Sequence, residues 1–471
     1  MRRLESRSTC GRPGTVVCCR TFASGRTTVA LRSGGACTAP PGGSARESPS
    51  PYVAESCLLP DGGVTPGCGN GVIEAAETCD PPNGTTCNAQ CGTCPAEAGS
   101  TLLGCTSGAS EVAAATTSAF LVAWTDVDAA LESHAVARRL DLDAVPRDAA
   151  PVHVSGTIPG TTVSTGSTSA ATANESSFYV GWFATEEGFN LYLAGCRVPA
   201  SGVLVAPVDL LVSHLRFGAC GLSIGGPLGL APTLDSSGIH RTYRFFFYCP
   251  EPIAEGIAGV GADFAVPPPP PPEGGNLSRG SAPLARGASD VAGVWWNVFA
   301  SMVPPVPPVP PEPIFSLKAS FIAPEPRSIL TLTSGTSAVS PALAAVGDVF
   351  LAFFTGGEIR VVRFTRAAGP LDPDGGLLVA TAAGAIGDLA AAGDGTRAIV
   401  AWREATGPGV SAIRLVRVAP DGTIVDPAPL DVASADANAA VAVAATSGRA
   451  LVGFTRAEGS ATSVRAVLLA P

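Results

Sequence analysis

Cysteine is the residue type whose number and spacing first suggest chemistry in this chain of 471 residues. Eleven of the fourteen cysteines lie within residues 10–105. So dense a cluster among small residues is typical of disulfide bonds formed in an oxidising compartment. The alternative is a zinc site at Cys87, Cys91 and Cys94, but no paired histidine or second Cys-x2-Cys follows at the usual spacing.

Serine and histidine offer little support for catalysis. Residues 221–225 read G-L-S-I-G and match the G-x-S-x-G motif of serine hydrolases, which needs a helix directly after it. Gly226 and Pro227 block that helix, so we expect no nucleophile at Ser223. The histidines are scattered and are interpreted as structural: His134, His153, His214 and His240.

Three Asp-x-Asp pairs, at 126/128, 141/143 and 372/374, are candidate calcium ligands. None has the further ligands that a calcium loop requires, and we interpret them as turn residues. Residues 256–261 resemble a phosphate loop but lack the following Lys-Ser/Thr, and we interpret them as a glycine-rich loop. The sequence therefore predicts no catalytic residue, cofactor site or metal site.

Residues 68–94 contain the most specific motif. They begin C-G-N-G, continue through Glu74 and Glu77 to Cys79-Asp80, and are followed by Cys87 and Cys91. This segment resembles the myxococcal cysteine-rich repeat, although residues 81–84 (P-P-N-G) replace the acidic loop usual in that family. The resemblance implies a secreted or surface-exposed protein and no reaction. It also implies a structural disulfide knot, with these candidates: Cys68, Cys79, Cys87 and Cys91.

The elements that position these residues are marked by aromatic side chains. Every tryptophan ends a short apolar strand, and phenylalanine takes the same place in two further segments: Trp124, Trp182, Trp295, Trp296, Trp402, Phe353 and Phe454. The interval between Trp182 and Trp295 is about double the others, and residues 243–248 fit a hidden copy. The spacing predicts an array of similar β units.

Each unit contains four short strand patterns. A small-residue strand (341–345) comes before the aromatic strand, and a strand alternating apolar residues with arginine (359–364) follows it. A Pro-Asp-Gly turn (420–422) then leads to a closing strand (429–432). Four antiparallel strands in about 50 residues are typical of a propeller blade.

The predicted fold is all-β: a β-propeller of seven four-stranded blades, with six as the alternative, preceded by a small disulfide-rich irregular region. The domains are a cysteine-containing irregular region (1–60), the cysteine-rich repeat (61–97) and the propeller (98–471). The last unit stops at its third strand, 463–469, so residues 101–105 are predicted to supply its outer strand. Two proline-rich segments, 267–272 and 303–313, are predicted insertions.

Charge and hydropathy exclude several functions. The net charge is −10 and there is no basic stretch, which argues against nucleic acid. The sequence has no run of 18 apolar residues, so no membrane span is predicted. The first residues have no apolar signal segment. Since the cysteines favour export, we expect a secreted or cell-surface protein whose true start lies upstream.

These observations favour a monomeric binding, adhesion or scaffold protein, with a glycan or a protein bound at the propeller loops. The alternative is a secreted propeller hydrolase or lyase acting on polysaccharide. An enzyme should converge carboxylates or histidines on the central channel, whereas a channel lined by Ala, Gly and Val favours binding. No acidic or histidine position recurs across the units, so an enzyme is the less favoured interpretation.

Overall fold

In the computed structural model, every regular element among the described residues is a β-strand. Three strands near the N-terminus form an antiparallel sheet in the order β2-β1-β3. Their bounds are β1 (Thr15–Thr21), β2 (Thr27–Ser33) and β3 (Ser44–Ser48). The sequence led us to expect irregular chain at 1–60. The Thr- and Val-rich composition of β1 and β2 suits extended backbone instead.

The structure describes these residues: 15–21, 27–33, 44–48, 79, 82–90, 92–108, 111–127, 133–155, 167–186, 190–202, 208–215, 221–224, 229–235, 239–248, 255–260, 276–279, 283–299, 314–324, 329–335, 341–446, 448–459 and 461–469. The proline-rich segments predicted as insertions, 267–272 and 303–313, lie outside them.

After β4 (Thr101–Thr106), successive strands form antiparallel sheets in chain order. Sheet 1 contains β5 (Glu111–Ala115), β6 (Phe120–Val127), β7 (Ser133–Leu140) and β8 (Val152–His153). Sheet 2 contains β9 (Ser167–Ala173), β10 (Ser177–Glu186), β11 (Asn190–Pro199) and β12 (Val208–Leu215).

Sheets 3 and 4 have a divided first strand. In sheet 3, β13 and β14 both pair with β15, as does β16; in sheet 4, β17 and β18 both pair with β19. The bounds in sheet 3 are β13 (Gly221–Ile224), β14 (Gly229–Pro232), β15 (Ile239–Tyr248) and β16 (Glu255–Val260). Those in sheet 4 are β17 (Asn276–Arg279), β18 (Leu284–Arg286), β19 (Val291–Phe299), β20 (Ile314–Ala323) and β21 (Leu330–Gly335). The copy predicted at 243–248 therefore lies in the central strand of sheet 3.

Sheets 5 and 6 repeat the four-strand order, with a divided outer strand in sheet 5. Sheet 5 contains β22 (Ala342–Val346), β23 (Val349–Thr355), β24 (Glu358–Thr365), β25 (Gly369–Pro370) and β26 (Leu377–Thr381). Sheet 6 contains β27 (Ile386–Gly393), β28 (Ala398–Gly407), β29 (Val410–Val418) and β30 (Leu430–Asp436).

Sheet 7 joins the two ends of this array. It contains β31 (Val441–Thr446), β32 (Arg449–Glu458) and β33 (Ala461–Leu469), and its fourth strand is β4. The pairing runs antiparallel from Thr106 opposite Thr462 to Thr101 opposite Ala466. The predicted donation of an outer strand by residues 101–105 is confirmed by this register.

The first strands of successive sheets lie against one another. The contacting pairs are β5–β9, β9–β14, β14–β18, β18–β22, β22–β27, β27–β31 and β31–β5. Sheets that pack face to face about their first strands are typical of β-propellers.

The recurring aromatic residues fill the layers between these sheets. Trp124 belongs to a core cluster with Leu451 of sheet 7, and Trp182 to one with Leu121 of sheet 1. Trp402 is completely buried in a cluster with residues of sheet 5. Burying one indole contributes about 4–6 kcal/mol of transfer free energy. A single sheet would leave these rings in water, so the sheets depend on their neighbours.

The strand register corrects one aromatic assignment. The residue opposite Trp402 is Arg414, and the residue opposite Phe354 is Arg360, so Phe354 is the counterpart of Trp402. Phe353, the residue predicted from the sequence, points to the other side of sheet 5 and packs in the cluster that contains Trp402. Successive side chains of a strand point to opposite faces of its sheet, so two adjacent phenylalanines face different neighbouring sheets. The sequence did not show which of the two faces which sheet.

Candidate functional site

The cysteines predicted for the disulfide knot are only partly described. Cys79 and Cys87 form a disulfide bond, whereas Cys68 and Cys91 lie outside the described residues. A second disulfide joins Cys94 to Cys105 in β4. Because Cys87 and Cys94 are each bonded to another sulfur, the zinc interpretation loses two of its three thiolates.

The two glycine motifs both lie in strands. Ser223 is a residue of β13 opposite Phe246 of β15, a setting unlike the strand-to-helix turn that exposes a nucleophilic serine. The interpretation of 256–261 as a glycine-rich loop is wrong, since Glu255–Val260 is strand β16. Its glycines pair with β15, and Gly256 lies opposite Phe245.

The histidines lie in three different sheets. His134 and His153 are in β7 and β8, the predicted strands of sheet 1, and their rings meet edge to face at 5.5 Å. His240 lies in β15, where burial lowers the pKa of its imidazole and the charge of Asp235 opposes that effect. His214 lies in β12. The two histidines of sheet 1 contact each other, and the other two lie in different sheets.

The described members of the Asp-x-Asp pairs bind protein groups. Asp141 accepts hydrogen bonds from the amides of Asp143 and Val145 within its own turn. Asp374 accepts one from Thr333 of sheet 4 at 2.8 Å. Asp126 accepts one from Thr106 of β4 at 2.8 Å. Asp128 lies outside the described residues. The turn interpretation is wrong for Asp126, which lies in strand β6, and Asp374 joins its turn to the neighbouring sheet.

An arginine–aspartate pair recurs at a spacing of nine residues. In each copy the arginine lies one or two residues before the end of the third strand, and its backbone amide and guanidinium both donate to the same carboxylate. The shortest nitrogen–oxygen distance is 2.6 Å in all three pairs: Arg139–Asp148, Arg363–Asp372 and Arg417–Asp426. The hydrogen bond to its aspartate raises the pKa of the guanidinium in Arg363 and in Arg417, and burial opposes it.

Two of these pairs reach the following sheet. Arg139 donates to the carbonyl oxygen of Pro199 at 2.9 Å, and Arg363 to that of Pro420 at 3.2 Å. The third- to fourth-strand turn of one sheet is thus fastened to the next. We call all three arginine–aspartate pairs the Arg–Asp latches. Sequence reasoning read Asp372 as a turn residue, but the repeated Arg-x8-Asp spacing was visible and would have revealed them.

The first strands carry mostly small, uncharged side chains. β22 reads ALAAV and β31 reads VAVAAT. Among the first-strand side chains that the structure describes, the charged ones are Arg286 and Asp388. Arg286 donates to the carbonyl oxygen of Leu234 at 2.7 Å, which ties sheet 4 to sheet 3.

Asp388 lies at an irregularity in β27, where the register with β28 shifts between Ile386 and Leu389. Its carboxylate accepts a hydrogen bond from the amide of Val441 in β31 at 2.9 Å. Burial raises the pKa of Asp388, while the amide hydrogen bonds and the charge of Arg403 act against that rise. Arg403 lies against Gly387, where an added Cβ would be 2.0 Å from its Nη2. Sequence reasoning missed Asp388, a lone acid in a small-residue strand.

Glu404 is a second buried carboxylate in sheet 6, with 1% of its surface exposed. It accepts hydrogen bonds from the indole of Trp402 at 3.1 Å and from the amide of Ala383 at 2.8 Å, and it pairs with Arg414 at 3.1 Å. These contacts fasten the chain that enters β27 to the core of sheet 6. The carboxylate has protein partners on all sides, which is typical of a structural role.

The sheet order and packing place this chain among all-β proteins of the β-propeller type. Among solved structures it is similar to "A subtype N10 neuraminidase-like protein of A/little yellow-shouldered bat/Guatemala/060/2010", at 10% identity and a TM-score of 0.36, over 67% of this chain and 97% of that one. It is also similar to the Trypanosoma rangeli sialidase in complex with the inhibitor DANA, at 7% identity and a TM-score of 0.34, over 76% of this chain. The same sialidase with sialic acid matches at 8% identity and a TM-score of 0.34.

The chain spans 54% of the length of those two sialidase chains. At TM-scores this low the similarity bears on neither the function nor the site. No model of a known protein family matches the sequence, and no curated protein does. Within the described residues, the structure has no helix of the length and apolarity needed to span a bilayer.

Proposed function

We propose that the chain is a secreted or cell-surface binding protein whose seven-bladed propeller presents loops to a glycan or protein ligand. The observation that carries this proposal is the composition of the first strands. Small apolar side chains predominate there, and the two described charged groups, Arg286 and Asp388, bind neighbouring protein groups. An enzyme acting on polysaccharide would instead converge acids or histidines on the same strands.

The blade count is supported by the contacts between first strands, which run from β5 through the array and return to β5 through β31. We propose that residues 61–97 form the cysteine-rich repeat and residues 98–471 the propeller. Export is supported by the two disulfides, since such bonds persist outside a reducing cytosol. We further propose that the protein acts as a monomer.

The test combines localisation, binding and turnover of the full chain. The native protein is located by fractionating its source cells, and the purified protein is applied to a glycan array and to a panel of polysaccharides. We expect an extracellular or surface location and ligand binding without turnover. A reduced cytosolic protein would contradict export. Polysaccharide cleavage abolished by Asp388→Asn, but not by the exposed Asp431→Asn, would favour the hydrolase or lyase.

A further inference from the structure

The Cys94–Cys105 disulfide lies where the first and last sheets meet. Cys105 is a residue of β4, the outer strand of sheet 7, and the bond closes a segment with a sequence separation of 11 residues. Both cysteines are buried, and they pack with Ala461 of sheet 7. Because β4 precedes sheet 1 but completes sheet 7, its attachment determines whether the last sheet has its fourth strand.

The segment closed by this disulfide binds the buried side chain of Arg465 in sheet 7. Arg465 has 0% exposure and donates to Glu458 at 3.0 Å. It also donates to Ser463 of its own strand at 2.9 Å, to the carbonyl oxygen of Pro95 at 2.8 Å and to Ser100 at 3.3 Å. Glu97 lies 3.6 Å from the same guanidinium. If residues 95–100 moved away, a buried charge would lose much of its compensation, which is strongly destabilising.

Strand β4 also contacts sheet 1. An added Cβ on Gly104 would lie 2.3 Å from the indole of Trp124, so the β4 backbone is packed directly against that ring. Arg138 of β7 donates to the carbonyl oxygen of Leu103 at 2.8 Å. β4 therefore bridges sheets 7 and 1, and its loss would separate them as well as leave sheet 7 with three strands.

We propose that the Cys94–Cys105 disulfide is a redox-sensitive lock that holds the array closed, whatever ligand the propeller binds. Reduction breaks the Sγ–Sγ bond, and two electrons and two protons convert the sulfurs to thiols. Because both sulfurs are buried, a dithiol reaches them when the segment opens transiently; it then supplies the electrons and protons and becomes a cyclic disulfide. Exchange with an oxidised dithiol reverses the step. Without the bond, residues 94–105 regain the chain entropy that the cross-link removed. The hydrogen bonds from Arg465 to residues 95–100 and the packing of β4 on Trp124 are weakened accordingly.

The test is hydrogen exchange of the full oxidised chain, with Cys94→Ala/Cys105→Ala as the variant. Its matched control is Cys79→Ala/Cys87→Ala, which removes the other described disulfide. We expect amides of β33 in the first variant to exchange at least about 30-fold faster than in wild type. Amides of β29 in sheet 6 should change less, and the control variant should leave β33 close to wild type. Unchanged β33 protection, or an equal loss in both variants, would overturn the proposal.

A second measurement applies if the alanine variant does not fold. Wild-type protein is titrated with dithiothreitol, each cysteine is alkylated and quantified by mass spectrometry, and exchange of β33 is followed in the same samples. Opening of β33 that tracks alkylation of Cys94 and Cys105 supports the lock. Opening that tracks Cys79 and Cys87, or no opening after Cys94 and Cys105 are fully alkylated, rejects it.

Discussion

The α-carbon of Gly104 lies directly against the indole of Trp124, and this contact joins the outer strand of sheet 7 to the second strand of sheet 1. A Cβ at residue 104 would come within 2.3 Å of Cζ2 of that ring. Trp124 itself is 1% exposed and shares its core cluster with Leu103 and Leu451. The indole is thus enclosed by residues from both ends of the array, and no larger residue fits at position 104.

Gly104→Ala should therefore destabilise the protein. The added methyl group overlaps a ring that cannot move without disturbing the cluster around it, and overpacking of this kind costs about 1–3 kcal/mol. Urea unfolding measures the change in free energy. Gly407→Ala is the control, because no atom lies within 4 Å of a Cβ built there. Equal midpoints for Gly104→Ala and wild type would show that sheets 1 and 7 are not packed as described.

The Arg–Asp latches lead to a second prediction. Asp372→Asn should lower the free energy of unfolding by about 2–4 kcal/mol. The Arg363 guanidinium loses the negatively charged carboxylate that accepts hydrogen bonds from two of its nitrogens. The carboxylate of Asp372 is 1% exposed. Thermal or urea unfolding measures the loss. Asp431→Asn provides the control: Asp431 also pairs with an arginine but is 76% exposed, so its removal should cost less than about 1 kcal/mol.

The sequence predicted the repeat well and the contacts between repeats poorly. Strand positions follow from alternation and turn residues, which are local properties, and the donated strand β4 followed from the missing fourth strand of the last unit. The choice between Phe353 and Phe354 depends on which side of sheet 5 each faces, and no local pattern distinguishes adjacent aromatic residues. Pairing of Cys94 with Cys105 depends on the return of β4 to sheet 7, a tertiary event that cysteine spacing does not encode.

Glu404 is the subject of a third prediction. Glu404→Gln should destabilise the protein by about 2 kcal/mol, since the amide keeps one acceptor for Trp402 or Ala383 but leaves Arg414 with the exposed Asp431 as its charged partner. Chemical denaturation with tryptophan fluorescence reports both the stability and the environment of the indole. Glu358→Gln is matched to it, because Glu358 also pairs with an arginine of its sheet but is 38% exposed. Similar losses in the two variants would show that burial of Glu404 is unimportant.

The pH dependence of stability gives a fourth prediction, centred on the turn between β27 and β28. Burial alone would raise the pKa of Asp394, but hydrogen bonds from Thr396 and Arg397 outweigh it, and the pKa lies below its ordinary value. A carboxyl group with a lowered folded-state pKa stabilises the fold when ionised. That contribution is complete above the unfolded pKa of about 3.9 and is lost as the pH falls through the folded pKa.

Asp394→Asn isolates this contribution from those of other acids. The amide oxygen can still cap the turn, as Asn174 does in sheet 2 by accepting from the amides of Ser176 and Ser177. The variant should be less stable than wild type by about 1–2 kcal/mol near neutral pH, because Arg397 loses a charged partner. Unfolding free energies of both proteins, measured from pH 2 to pH 8, should converge below about pH 4. A constant difference over the whole range would mean that the charge of Asp394 contributes nothing and that the amide and carboxylate differ only in shape.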